Sequence, residues 1–380
     1  MKLRIFIAAL AVCVLCGCSM QVKEPTIPTT APADVPVAIP TPIYDPIQEI
    51  INNMTTEELV GQLFLARYPG TEAAIAATQQ YHIGGYVLFG KDTKENTPEG
   101  LSTEMAALQS YAKVPLIISV DEEGGYVSRI SGYSQYRETP FPSPRELYEG
   151  GGIQLVLDTE REKCQLLKSL GINTNLAPVC DITTDPYAFM YDRSIGLSPE
   201  ETGDYIAQMV ELMDSEGVGG VLKHFPGYGN NEDTHTGTAT DSRSLAELEG
   251  ADLVPFQRGI DAGCKAIMVS HTIIEAIDPA LPGSLSPAVA NYLRDDMGFD
   301  GVIITDDLAM EAITDVYGDG EAAVLAVLAG VDMLCSSEYE VQYQAVLQAV
   351  NDGRITVPQL MKSVMRILKW KQSIGLLPEG

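Results

Sequence analysis

The sequence is poor in residues that mark several common kinds of site. It has 24 Lys and Arg against 52 Asp and Glu, a formal net charge of −28, and only four histidines. A chain this acidic lacks the positive surface that nucleic acid requires, so we expect no nucleic-acid partner. Beyond the first 18 residues, its cysteines show neither CxxC nor metal-type spacing, so we expect no essential disulfide.

Long apolar runs are scarce too. After residue 18 there is no stretch of about 18 uninterrupted apolar residues, so no later membrane span is expected. The start, MKLRIFIAALAVCVLCG, has a basic end and an apolar core, which predicts a signal peptide over residues 1–17. Leu15-Cys16-Gly17-Cys18 resembles a bacterial lipobox, which implies a lipid on Cys18 and an extracytoplasmic protein anchored to the cell membrane. An ordinary secretory signal is the alternative.

Proline and threonine dominate the segment that follows. This composition favours extended polyproline conformations and cannot bury a core, so we interpret residues 18–44 as a tether. Residues 45–380 are then one domain, with a length that is normal for an α/β barrel. We expect this domain to be a monomer.

Short apolar runs alternate with segments of helical spacing along this domain. Eight such strands predict an α/β fold, a single (β/α)8 TIM-type barrel. An open, doubly wound sheet is the alternative, but it would favour a GxGxxG turn after the first strand, and none is there. The predicted strands are 61–66, 84–89, 115–120, 172–177, 218–222, 265–269, 301–304 and 331–335.

Charged residues follow several of these strands. Asp121 follows the third, Lys223 and His224 end the fifth, and Asp306 and Asp307 follow the seventh. A helix cap would explain any one of these aspartates. Because the carboxyl ends of barrel strands converge on the catalytic face, we expect these side chains to form one site.

Two of the four histidines lie in one stretch, VLKHFPGYGNNEDTH, which carries Lys223, His224, Asp233 and His235. A metal site that also uses His271 is conceivable. Metal-dependent hydrolases of this fold usually carry His-x-His on the first strand, where this chain has Ala-Arg-Tyr. We therefore expect no catalytic metal and no other cofactor.

A carboxylate and a proton donor are the two groups that glycoside hydrolysis needs. Asp306 ends a buried strand, which would hold a nucleophile rigidly. His235, polarised by Asp233 two residues earlier, can donate a proton and take one back. These residues indicate a carbohydrate substrate.

Three motifs resemble those of glycoside hydrolase family 3, in its β-N-acetylglucosaminidase branch: VDEEGGYVSR, KHFPGYGNNEDTH and GFDGVIITDDLAM. The resemblance implies a retaining exo-β-N-acetylglucosaminidase (β-hexosaminidase) that acts on peptidoglycan fragments or chito-oligosaccharides. It implies Asp306 as nucleophile, His235 as acid/base and Asp233 as the partner of His235. The substrate-binding residues that it implies are Asp121, Arg129, Arg193, Lys223, His224 and Met310.

Two residues depart from the family pattern. Tyr228 stands where a second histidine is usual, and Asn230 stands where aspartate is usual. Neither carries the proton, so we expect activity to survive. Three alternatives stay open: a β-glucosidase or β-xylosidase of the same family, a glycoside phosphorylase, and a lipoprotein that only binds muropeptides. We interpret Ser286 as a structural helix cap.

Overall fold

The computed structural model describes residues 46–229 and 239–379. All the described residues belong to one compact unit, Tyr44–Gly380. Within them, every helix falls short of the length or apolar content that a bilayer crossing requires. The sequence predictions that lie outside the described residues are the signal peptide 1–17, the tether 18–44, Cys18, Asp233 and His235.

Short strands occur along the whole described part of the chain. Their bounds are Phe64–Arg67 (β1), Gly85–Leu88 (β2), Ile117–Val120 (β3), Glu122–Gly124 (β4), Val127–Ser128 (β5), Thr174–Asn175 (β6), Gly219–Gly220 (β7), Leu222–Phe225 (β8), Thr240–Asp241 (β9), Ala266–Val269 (β10), Ile273–Ile274 (β11), Val302–Thr305 (β12) and Leu334–Ser336 (β13).

The central strands pair in parallel, in two sheets. One sheet has the order β13-β1-β2-β3-β6-β7 and the other the order β12-β10-β8. Only Val221 separates β7 from β8, and a parallel bridge joins Ile304 of β12 to Met333, just before β13. The pairs β4–β5 and β9–β11 form two small sheets of their own.

Helices alternate with these strands, giving a mixed α/β fold. Their bounds are Pro46–Asn52 (α1), Thr56–Gln62 (α2), Thr71–Tyr81 (α3), Gly90–Thr93 (α4), Pro98–Tyr111 (α5), Pro144–Ser169 (α6), Pro199–Glu216 (α7), Leu245–Glu249 (α8), Leu253–Asp261 (α9), Pro287–Asn291 (α10), Glu311–Tyr317 (α11), Asp319–Ala329 (α12), Tyr339–Asn351 (α13) and Val357–Ser373 (α14).

Several helices start at a hydroxyl cap followed by proline. Ser143, Ser198, Ser286 and Thr356 each accept a hydrogen bond from a backbone N–H in the first turn of the helix. Proline follows directly after the three serines and one residue later after Thr356, and it fits there because the first-turn N–H groups have no helical partner. The prediction that Ser286 is a cap is confirmed, since its Oγ accepts from Val289 N at 3.2 Å.

Both faces of the central strands are buried. Leu65 of β1 packs in one apolar cluster with Val87 and Trp370, whereas its neighbours Phe64 and Ala66 pack in a second, larger cluster that includes residues of most of the helices. Successive residues of a strand point to opposite faces, so one strand contributes to both clusters. This double burial explains why the strands read as continuous apolar runs in the sequence.

Some predicted strand boundaries are wrong. The first strand was expected over 61–66, but Gly61 and Gln62 end helix α2 and β1 begins at Phe64. A Cβ on Gly61 would lie 2.0 Å from the carbonyl oxygen of Tyr81, so Gly61 allows α2 to approach the end of α3. The fifth strand continues beyond its expected end at residue 222 to Phe225.

The cysteines in the described part are free thiols: Cys164, Cys180, Cys264 and Cys335. Cys180 and Cys335 are buried, and Cys264 is partly buried. Burial raises the pKa of the Cys264 thiol to about 12.

Candidate functional site

The carboxyl ends of β3, β8 and β12 surround a cavity of about 390 Å³. Asp121 comes directly after β3 and Asp306 directly after β12, while Lys223 and His224 lie within β8. All the predicted site residues that are described line this cavity: Asp121, Arg129, Arg193, Lys223, His224, Asp306 and Met310. Asp233 and His235 lie outside the described residues.

A buried carboxylate of β4 holds the segment that follows β5. Glu122 accepts hydrogen bonds from the backbone N–H groups of Arg129, Ile130 and Ser131 at 2.8, 2.7 and 3.1 Å. These bonds fix the backbone from which Arg129 reaches the cavity. The Arg129 Nε is buried and has no hydrogen-bond partner among the described residues.

Glu123 is the centre of a buried ionic network on the cavity floor. Its Oε1 accepts from Lys223 Nζ at 2.6 Å and from Arg193 Nη2 at 2.7 Å, and its Oε2 accepts from Arg193 Nε at 2.9 Å. Lys223 Nζ also reaches Asp121 Oδ1 at 2.7 Å. Two cations and two carboxylates therefore hold one another in place.

The network keeps Glu123 and Lys223 charged although both are buried. Burial alone would raise the pKa of Glu123, but the charges of Lys223 and Arg193 outweigh it and hold this pKa well below its usual range. Burial alone would lower the pKa of Lys223, but Asp121 and Glu123 raise it above its usual value. Each cation thus remains a donor throughout the neutral pH range.

His224 lies between Arg193 and a second buried carboxylate. Its Nδ1 is 2.8 Å from Asp181 Oδ2, and its Nε2 is 3.1 Å from Arg193 Nη2. The other oxygen, Asp181 Oδ1, accepts from Tyr228 N at 2.7 Å. The ring of Tyr228 meets the imidazole edge-on, with centroids 5.1 Å apart. Both imidazole nitrogens therefore have partners within the protein.

Two consecutive aspartates follow β12 and have different surroundings. Asp307 accepts from Ala309 N and Ser337 N, at 3.0 and 3.1 Å, and from the Ser337 hydroxyl, which is the pattern of a structural carboxylate. Asp306 N is tied to Val269 O of β10 at 3.0 Å, and Asp306 Oδ1 accepts from Asp307 N at 2.8 Å. Asp306 is thus held at both its backbone and its side chain.

His271, which the metal alternative would use, is fully buried beside the strand ends. Its Nδ1 is 2.7 Å from Ser284 Oγ and its Nε2 is 2.9 Å from the carbonyl oxygen of Asp307. These contacts connect the turns that follow β10 and β12. Across residues 46–229 and 239–379, no three His, Cys, Asp or Glu side chains form a group that could hold a metal ion.

The cavity combines fixed donors and fixed acceptors within a small volume. Lys223, Arg193 and Arg129 supply N–H groups, and Asp121 and Asp306 supply carboxylate oxygens. Phe89, one of several aromatic side chains in the wall, adds an apolar surface. A neutral ligand with many hydroxyl groups matches this arrangement, because each hydroxyl can both donate and accept.

A family model described as the glycosyl hydrolase family 3 N-terminal domain matches residues 55–370. The chain belongs to glycosyl hydrolase family 3. The match includes all the cavity residues named above and most of the described elements.

Several similar proteins match most of the chain. Beta-hexosaminidase LpqI of Mycobacterium tuberculosis is 33% identical over 329 residues, 84% of this chain and 83% of that protein. The solved structure of LpqI has a TM-score of 0.78 and 31% identity, and the match covers 86% of this chain and 96% of that one. An uncharacterized secreted glycosyl hydrolase of Arthroderma benhamiae is 30% identical over 325 residues, covering 81% and 90%.

A family 3 β-N-acetylglucosaminidase from Paenibacillus sp. has a solved structure with a TM-score of 0.80 and 34% identity. The match covers 86% of this chain and 64% of the Paenibacillus chain, so this protein spans less than two thirds of that one.

Sequence reasoning missed two residues on which this family 3 site depends. Glu123 stands two positions after Asp121, so on an extended chain both point the same way, and this spacing could have identified it. Asp181 follows the fourth predicted strand but had no assigned role. Its partnership with His224 joins positions 43 residues apart, which no local pattern reveals.

Proposed function

We propose that this protein is a retaining exo-β-N-acetylglucosaminidase that releases terminal N-acetylglucosamine from peptidoglycan fragments or chito-oligosaccharides. The observation that carries the proposal is the cavity at the strand ends, where seven side chains that the family resemblance implies as site residues lie together. Family membership and the names of two similar proteins, a beta-hexosaminidase and a β-N-acetylglucosaminidase, support the same activity.

We further propose that the central strands form a single (β/α)8 barrel. The six-stranded order from β13 to β7, the continuation of β7 into β8, and the order β8-β10-β12 support this architecture. The parallel bridge from Ile304 to Met333 would close the barrel between β12 and β13. A closed barrel explains why the cavity lies at the carboxyl ends of strands that are distant in the sequence.

In the proposed mechanism, an oxygen of Asp306 attacks the anomeric carbon and His235 gives a proton to the departing oxygen. The resulting glycosyl ester on Asp306 is then hydrolysed by water that His235 deprotonates, so the configuration is retained. Asp233 orients and polarises His235. Asp121, Arg129, Arg193 and Lys223 bind the hydroxyls of the terminal sugar, and His224 and Met310 complete its pocket.

The test is a panel of 4-nitrophenyl glycosides. We expect kcat/KM for the β-N-acetylglucosaminide to exceed that for the β-glucoside and β-xyloside by roughly 100-fold, because the pocket discriminates by hydrogen bonds. Asp306→Ala should abolish turnover, while Asp300→Ala, at a carboxylate whose side chain is 90% exposed, should have little effect.

Other outcomes of the panel would overturn the proposal. Preference for the glucoside or xyloside would identify a different glycosidase of the family. Faster turnover in phosphate, with a sugar 1-phosphate as product, would identify a phosphorylase. Absence of turnover together with muropeptide binding would identify a binding protein.

We propose that residues 1–17 are a signal peptide, that Cys18 carries the lipid anchor, and that 18–44 tether a catalytic domain over 45–380 outside the cytoplasm. The lipobox-like sequence and the similarity to a secreted glycosyl hydrolase support an extracytoplasmic location. Membrane fractionation tests it: Cys18→Ser should move the protein out of the membrane fraction. Unchanged membrane retention in the variant would contradict the anchor.

A further inference from the structure

The Asp181 carboxylate has more hydrogen-bond donors around it than a simple ion pair provides. It is 1% exposed. Its Oδ2 faces both His224 N at 3.1 Å and His224 Nδ1 at 2.8 Å, and its Oδ1 faces Tyr228 N at 2.7 Å. Backbone N–H groups fill two of these positions, so the carboxylate is fixed independently of the imidazole.

These neighbours determine which imidazole nitrogen carries the proton. An ionised carboxylate only accepts, so His224 Nδ1 must donate to Asp181. A guanidinium only donates, so His224 Nε2 must accept from Arg193 Nη2. The imidazole is therefore the neutral Nδ1–H tautomer. The opposite tautomer would place two N–H groups against each other, 3.1 Å apart.

The tautomer matters because Arg193 depends on it. Arg193 uses Nε and Nη2 on Glu123, and the same Nη2 also meets His224 Nε2. The imidazole acceptor and the Glu123 carboxylate together define the plane of the guanidinium. Both nitrogens of His224 are thus engaged within the protein, which makes His224 a support for Arg193 in the cavity wall.

We propose that Asp181 is a positioning residue that holds His224 in the Nδ1–H tautomer and thereby orients Arg193 toward the sugar. The orientation of Arg193 toward a sugar rests on the proposed function, whereas the tautomer does not. Asp181 does not line the cavity, so it acts through its neighbours.

The first measurement reads the tautomer directly and needs no substrate. Long-range ¹H–¹⁵N correlation spectra of the wild-type protein should show one imidazole in the neutral Nδ1–H form, and that signal set should vanish in His224→Asn. A wild-type His224 protonated at Nε2 would overturn the proposal. This result would be interpretable even if the protein had no glycosidase activity.

The second measurement is a double-mutant cycle on kcat/KM for the N-acetylglucosaminide. Asp181→Asn puts an amide N–H against either His224 or Tyr228, and we expect it to lower kcat/KM roughly 10- to 100-fold. In a His224→Asn background, the same substitution should cost less than about 3-fold, because the residue through which it acts is gone. Full additivity of the two effects would overturn the proposal.

A control separates positioning from general destabilisation. Asp332 is a buried carboxylate paired with Arg294 and Arg366, and it does not line the cavity. Asp332→Asn should lower the melting temperature yet leave kcat/KM of the folded enzyme within about 2-fold. If Asp332→Asn lowered kcat/KM as much as Asp181→Asn, the specific role of Asp181 would be rejected. Should Asp181→Asn not fold, the wild-type spectra still decide the tautomer.

Discussion

Replacing Glu123 with glutamine would test the ionic network on the cavity floor. The carboxylate accepts three hydrogen bonds, two from Arg193 and one from Lys223, all between 2.6 and 2.9 Å. A glutamine amide has one oxygen and one NH₂ group. Its NH₂ group would therefore face an N–H donor of Arg193 or Lys223 that now donates to the carboxylate. Glu123→Gln would also leave two buried cations with Asp121 as the one remaining carboxylate of the network.

The structure allows an estimate of the loss. Removing one partner of a buried ion pair costs about 3–5 kcal/mol, because an uncompensated charge is left in the interior. With an unfolding entropy of about 2.1 cal/mol/K per residue over the unit Tyr44–Gly380, this loss lowers the melting temperature by roughly 4–7 °C. The activity should also fall, since Lys223 and Arg193 lose their common support.

The pH dependence of this loss has a definite sign. The pKa of Glu123 in the folded protein lies below its ordinary value of 4.5, so its stabilisation is present above pH 4.5. It disappears as the pH falls through the folded-state pKa. The stability difference between wild type and Glu123→Gln should therefore be constant near neutral pH and shrink in acid.

Thermal unfolding followed by circular dichroism, with kcat/KM on the same samples, measures both effects. Glu321→Gln is the matched control, because Glu321 forms an exposed pair with Arg354, and its melting temperature should hardly change. A melting temperature for Glu123→Gln equal to that of the control, with normal kcat/KM, would refute the network as a structural element of the site.

Two other predictions concern a buried lysine and the proposed acid/base. Burial lowers the pKa of Lys371 to about 7, from a usual 10.5. Between these values the unfolded chain binds a proton that the folded chain does not, so wild-type stability should gain roughly 5 kcal/mol from this group as pH rises across the window. The free energy of unfolding of Lys371→Met, measured in urea at several pH values, should lack that gain. A pH dependence of stability equal to that of the wild type would contradict the prediction. His235→Ala should slow substrates with poor leaving groups far more than activated aryl glycosides, since only the former need protonation; equal slowing of both would argue against His235 as the acid.

The sequence predicted the features that depend on residues close together in the chain. Apolar runs predicted the strands, and the residues directly after them, such as Asp121 and Asp306, lie together in the cavity. The spacing of serine and proline predicted the cap at Ser286. In each case a short pattern corresponds to a local hydrogen bond or to the direction of a strand.

The features that the sequence did not predict depend on packing between residues that are distant in the chain. The end of α2 at Gln62 depends on how closely Gly61 approaches Tyr81, which no run of apolar residues encodes. Glu123 and Asp181 acquire their importance from cations and an imidazole that are distant in the sequence. Their roles appear only once the strands are brought together.

Trapping the covalent intermediate tests the central claim most directly. A 5-fluoro-N-acetylglucosaminyl fluoride should inactivate the enzyme by forming a slowly hydrolysed ester, and peptide mass spectrometry should place the label on Asp306. Asp306→Ala protein should remain unlabelled under the same conditions. A label on another residue, or an inverted product from a wild-type enzyme that never becomes labelled, would contradict Asp306 as the nucleophile.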